Sequence, residues 1–134
     1  MKKNGFTMIE LLAVIVIIGI LSTVVIISVS RYLNNANNTA YTSMMDTIYE
    51  GSQNYIMDNI DLLEENKINI TTDDLSAYID ELVNPKNKST RCSANITITN
   101  TNNNEQLSMS KLTYEITLKC GNTEKKTIYK SGDK

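Results

Sequence analysis

The run "LLAVIVIIGILSTVVIISV" (Leu11–Val29) is nineteen residues long and carries no charge. As an α-helix rising 1.5 Å per residue it spans about 28 Å, close to the hydrocarbon thickness of a bilayer. A helix that is apolar all round needs lipid or other helices about it, which fits a membrane or filament core. Secretory signal peptides have shorter apolar cores, about 7–15 residues, with a small-residue cleavage site after them. Here the small residue, Gly5, comes first. Lys2 and Lys3 precede the run and Arg31 follows it, which favours the N-terminus inside and the bulk of the chain outside.

Between Phe6 and Ser30 a single side chain ionises, Glu10. In a helix's first turn its carboxylate gains from the helix dipole. Deeper in a bilayer a charge costs roughly 2.5–3.5 kcal/mol. A solitary membrane helix has no use for it. The acid makes sense once a cation is supplied, and cutting after Gly5 would make one, the ammonium of Phe6. Glu10 lies four residues beyond Phe6, so pairing within one chain is open. Pairing with the ammonium of the next copy would instead set one helix in register against another.

"GFTMIELL" (Gly5–Leu12), after a short basic leader and before a long apolar helix, resembles the type IV prepilin signature. The resemblance covers roughly residues 1–31. It implies a leader peptide of residues 1–5, a cleavage site between Gly5 and Phe6, and an N-terminus on Phe6 that prepilin peptidase also methylates. Glu10 would be the assembly glutamate that neutralises a neighbouring subunit's terminal amine. Many family members carry a proline in the second half of this helix. This chain reads "VVIIS" there, with Gly19, Ser22 and Thr23 as the nearest softening residues. The implied partners are prepilin peptidase, other copies or related pilin subunits, the assembly ATPase and its membrane platform. The implied location is the cytoplasmic membrane in a single pass with the head outside, then a cell-surface or envelope filament. Adhesive or motility pili, type II secretion pseudopili and competence pseudopili all use such a part. A membrane-anchored extracellular binding module that never polymerises is the alternative.

The remaining hundred or so residues are polar and rich in Asn and Thr, enough for a small core only. Tyr32 to Val83 holds ten acids and one base; Asn84 to Lys134 holds nine bases and four acids. That asymmetry fits either solvated faces or attraction between neighbouring molecules. The chain has no histidine or tryptophan. Neither a phosphate loop, a metal-ligand spacing nor a nucleophile–base pair can be assembled, so no enzyme, cofactor or metal is expected. The lysine-rich C-terminal part has too few interleaved aromatics to make direct DNA binding the favoured reading.

The expected fold is α+β. One helix over residues 6–57 would join a transmembrane or filament half (6–30) to the spine of a globular head (31–134). Leu33, Ala36, Ala40, Tyr41, Met44, Ile48, Tyr55 and Ile56 lie near one stripe at 3.6 periodicity. "NNANNTA" (Asn34–Ala40) is a place for a bend or fray. "TTDDLSAYIDELVNP" suits a short extra helix, with Thr72 as N-cap and Pro85 beyond its end. The acids from Asp58 to Glu81 read as a solvated face. About three antiparallel strands follow, in "ANITITNT" (Ala94–Thr101), "KLTYEITLKC" (Lys111–Cys120) and "EKKTIYK" (Glu124–Lys130). Setting Cys92 opposite Cys120 also opposes Ala94 to Leu118, Ile96 to Ile116 and Ile98 to Tyr114, all on one face. That agreement favours a Cys92–Cys120 disulfide over two reduced buried thiols. For the last strand, a three-residue turn at Gly121–Thr123 would place Ile128 beside Ile116; a two-residue turn would face Tyr129 inward. The first is favoured.

Overall fold

A computed structural model describes residues 4–101 and 111–132. The chain divides into two compact units, Met1–Asn38 and Thr39–Lys134. Helix α1 (Met8–Asp58) contributes to both and stays helical through Asn34–Ala40. In the first unit the apolar side chains from Phe6 to Leu33 are exposed. The helix hydroxyls there are satisfied internally: Ser22 donates to the Ile18 carbonyl (2.7 Å), Thr23 to Ile20 (2.7 Å), Ser28 to Val24 (3.1 Å) and Ser30 to Ile26 (3.0 Å). None of these four hydroxyls therefore forbids an apolar solvent.

The second unit is an antiparallel meander in the order β1 (Lys67–Thr71), β2 (Cys92–Asn100), β3 (Leu112–Cys120), β4 (Thr123–Lys130). The fold is α+β as expected, with four strands rather than about three. Period-two alternation buries Ile68 and Ile70 of β1, Ala94, Ile96 and Ile98 of β2, and Leu112, Tyr114, Ile116 and Leu118 of β3. Against them pack Tyr41, Met45, Ile48 and Ile56 of α1, with Ser52 and Gly51 buried on the same stripe. Leu33 and Ala36, expected on that stripe, are exposed. Gly51 is needed for a close approach. A Cβ there would collide with Ile79 Cγ2, from the segment that crosses the helix. β2 and β3 pair in the expected register, Cys92 opposite Cys120, and the two cysteines form a disulfide.

Three expectations are corrected. β1 stands where no strand is expected, because "KINIT" offers only two apolar residues to signal one. The extra helix is a series of turns over residues 72–78. Its would-be cap is diverted: the Thr72 hydroxyl accepts from the Ala94 N–H (2.8 Å), and the Thr72 N–H donates to the Ala94 carbonyl (3.1 Å). Asp74 accepts from the Thr71 N–H (2.8 Å) and caps a single turn, while the Thr72 bonds to Ala94 tie that turn to the sheet. The regular element in this region is a 3-10 helix at Ile60–Glu64.

The third correction is the register of β4. Cys120 pairs with Thr123 around a two-residue turn, with Gly121 at φ +60°, so Tyr129 and not Ile128 shares the core side. Gly121 supplies the left-handed conformation that such a turn demands. Tyr129 stacks on Tyr49 with centroids 4.6 Å apart, and its hydroxyl donates to Asp46 at 2.7 Å. Tyr49 in turn meets Tyr114 edge-on at 5.0 Å. An isoleucine could bury its area but make neither the ring stack nor the hydrogen bond.

Asn84 is the polar knot of the core. Its Oδ1 accepts from the Tyr41 hydroxyl (3.0 Å) and the Lys86 N–H (3.0 Å), and its Nδ2 donates to the Cys120 carbonyl (3.5 Å). Tyr41 is only 2 % exposed, so losing its acceptor strands a buried hydroxyl. Asn84→Ala should lower stability by about 2 kcal/mol, with Tyr41→Phe in the same chain recovering part of it; denaturant melts of the four variants of that cycle measure both.

Burial pushes the Tyr114 phenol up to about 12, with the neighbouring Tyr49 adding to it. Tyr129 is raised by burial first and then by Asp46. In each case the folded state holds its proton more tightly than the unfolded chain, whose tyrosines titrate near 10. Their contribution is whole below about pH 10 and is lost as pH rises towards 12. Tyrosine absorbance should therefore show two classes of phenol, the late one ionising together with loss of near-UV dichroism.

Candidate processing and assembly site

Asn4 to Thr7 precede the helix without regular structure, and Gly5 and Phe6 are exposed, Phe6 at 84 %. A Cβ at Gly5 would meet nothing within 4 Å. The Gly5–Phe6 peptide thus lies open in an irregular strand of backbone beside the first turn of α1.

Thr7 and Glu10 are the first side chains to be held. The Thr7 N–H donates to Glu10 Oε2 (2.8 Å) and the Thr7 hydroxyl donates to the same oxygen (3.0 Å). The Thr7 carbonyl accepts from the N–H groups of Glu10 (3.1 Å) and Leu11 (3.2 Å). "TMIE" is a capping box, in which a residue before the helix and a glutamate three positions on satisfy each other's open groups. Thr-x-x-Glu ahead of an apolar run is visible in the sequence, and reading Glu10 only as a charge in need of a cation misses it. Both contacts fall on Oε2. Among the described residues Oε1 accepts no hydrogen bond. The carboxylate therefore has one oxygen committed to its own helix and one open to a donor.

The structure brings Glu10 to Thr7, next to Phe6 in the chain. The cysteines belong elsewhere, in the core of the second unit. The acids from Asp58 to Glu81, expected to be a solvated face, are all exposed, and some of them also have single partners. Asp58 accepts from the Tyr78 hydroxyl (2.8 Å), which raises that phenol's pKa, and Glu81 pairs with Arg91. Among the described residues no group of such side chains is placed to hold a metal ion. Lys2 and Lys3 lie outside the described residues, as does Met1.

Among the described residues α1 is the one helix long and apolar enough to cross a membrane, by length and composition. A family model described as the prokaryotic N-terminal methylation motif matches the chain over residues 1–26. No curated protein and no solved structure matches it. An exposed Gly-Phe junction, a capped glutamate and an apolar helix thus coincide with the matched region, and the chain carries the type IV prepilin-type N-terminal signal on a helix that fits a pilin-like protein.

Proposed function

We propose that this chain is a structural subunit of a type IV pilus-like filament. Prepilin peptidase cuts between Gly5 and Phe6 and methylates the new amine. The subunit waits in the cytoplasmic membrane with its head outside. It is then drawn into a filament by an assembly ATPase and a membrane platform. The observation that carries this reading is the matched motif on a helix whose apolar side chains up to Leu33 all remain exposed. Burial of such side chains contributes about 1.5–3 kcal/mol each, whether lipid or other helices cover them. Exchanging lipid for neighbouring copies therefore costs little and leaves specificity to polar groups.

Glu10 is the polar group in position to supply it. Its capping role keeps the acid ordered in the waiting subunit. Its open oxygen can take the ammonium of a neighbour's Phe6 without breaking the cap. Within the class, the small head leans towards a pseudopilin or minor pilin, and the presence of Glu10 towards a subunit built into the shaft.

The capping box also favours a second reading, a tethered extracellular module in which Glu10 only starts a helix. The two differ in the mature chain. A filament subunit starts at Phe6 with a methylated amine, and a tethered module keeps Met1. Intact mass and N-terminal sequencing of protein from cells decide between them.

A further inference from the structure

The meander leaves two outer edges, β1 and β4, on opposite sides of one sheet. Their charges are opposite. β4 exposes Lys125, Lys126 and Lys130 against the single acid Glu124. Lys126 lies 3.8 Å from Glu115, whereas Lys125 and Lys130 have no carboxylate within 4 Å among the described residues. β1 follows directly on the 3-10 helix and is flanked by exposed Asp61, Glu64 and Glu65, with Lys67 the only base. Exposed large apolar side chains are scarce among the described residues of this unit. Ile128 (63 %) stands on β4, while Ile60 (52 %) and Met57 (57 %) stand with the acids; Val83 is the other.

We propose that the β4 edge of one copy docks against the acid-flanked β1 side of the next, with Ile128 meeting Ile60 and Met57 inside a rim of lysine–carboxylate pairs. The occupant follows from charge. Two β4 edges repel each other, as lysines on an edge strand generally do, and so do two acidic sides. Only unlike edges attract. A contact between different patches of identical chains does not close on itself as a two-fold dimer does, and it repeats from copy to copy. The rim charges steer and orient the approach, while the apolar centre is shielded from water. This inference rests on the filament reading for bringing copies side by side, yet it concerns a separate surface and fails separately.

Zero-length carbodiimide coupling tests it on the native protein, since that reagent joins a lysine to a carboxylate only where the two touch. Cells making the chain are shifted from light to heavy nitrogen, so that wholly light and wholly heavy chains coexist, and are then treated; the joined peptides are read by mass. Links between light and heavy chains should connect Lys125, Lys126 or Lys130 with Asp61, Glu64 or Glu65. The two groups lie on opposite edges of a single sheet, so such links report neighbours. A chain carrying Lys125→Glu, Lys126→Glu and Lys130→Glu should lose about tenfold or more of these contacts and of sheared filaments. Adding Asp61→Lys, Glu64→Lys and Glu65→Lys to that chain should restore the filaments. Filaments of chains starting at Phe6 that show no such links, or that tolerate the reversal, overturn this inference and leave the filament reading intact. Membrane-bound chains that keep Met1 overturn the filament reading; between-chain links at these residues would then still support the contact, and their absence would overturn it too.

Discussion

Cells making Glu10→Gln should lose surface filaments as completely as cells making Glu10→Ala, while both variants still mature at Phe6. The comparison separates the two roles open to this side chain. Glutamine at the third helical position can accept from the Thr7 N–H and hydroxyl as the carboxylate does at 2.8 and 3.0 Å, so the capping box survives. What disappears is the charge. A cap is worth about 1 kcal/mol, whereas a carboxylate–ammonium pair at 4 Å and an effective dielectric of 20 interacts by about 4 kcal/mol. Losing the second term at every subunit contact should cut filament yield by about a hundredfold or more, since each 1.4 kcal/mol is a factor of ten. Thr7→Val is the complementary variant: it removes the capping hydroxyl, should cost about 1 kcal/mol of helix start, and should leave assembly near normal. Filaments from Glu10→Gln at native yield, with Glu10→Ala defective, would assign the acid to capping alone. Sheared-filament yield and the N-terminal residue of each variant are the measurements.

How much of the fold and the site is legible in the sequence depends on whether a signal is local. Leu11–Val29 declares itself by length and lack of charge, and nothing elsewhere in the chain can override it. The β2–β3 register was equally plain, because a one-residue slip would turn Ile96, Ile98, Tyr114 and Ile116 out of the core together. Thr72 misleads for a non-local reason: its hydroxyl suits a helix cap, but Ala94, twenty-two residues away, takes it. β4 failed in a similar way. Tyr129 is chosen over Ile128 by a ring and a carboxylate on α1, partners that alternation along the strand cannot reveal. Asn84 gave no signal at all, since a buried asparagine is defined by what surrounds it. At the N-terminus the opposite happened. Thr-x-x-Glu is a local signal, and its cap is as legible as its charge.

Replacing both cysteines by alanine should destabilise the second unit by roughly 3–4 kcal/mol, the loop-closure value for partners 28 residues apart. For a unit of this size that is a fall in Tm of roughly 15–25 °C. The apolar helix would keep its far-UV signal in detergent whatever happens to the sheet, so ellipticity at helical wavelengths is the wrong probe. The near-UV band is the right one. The chain has no tryptophan, and the Tyr49–Tyr114–Tyr129 cluster joins α1 to β3 and β4, so its dichroism vanishes when the sheet leaves the helix. Full-length protein in detergent, wild type and Cys92→Ala/Cys120→Ala, should therefore melt far apart at that wavelength and alike at helical ones. Reductant should act slowly on the wild type below its Tm, because Cys92 and Cys120 are buried and must first be uncovered. A double alanine variant melting within a few degrees of wild type would mean that alternation alone holds β2 against β3. The expected gap is large because the bridge closes its segment in the unfolded chain as well as the folded one. The core it reinforces draws its strands from a sequence rich in asparagine and threonine, with little apolar area to spare.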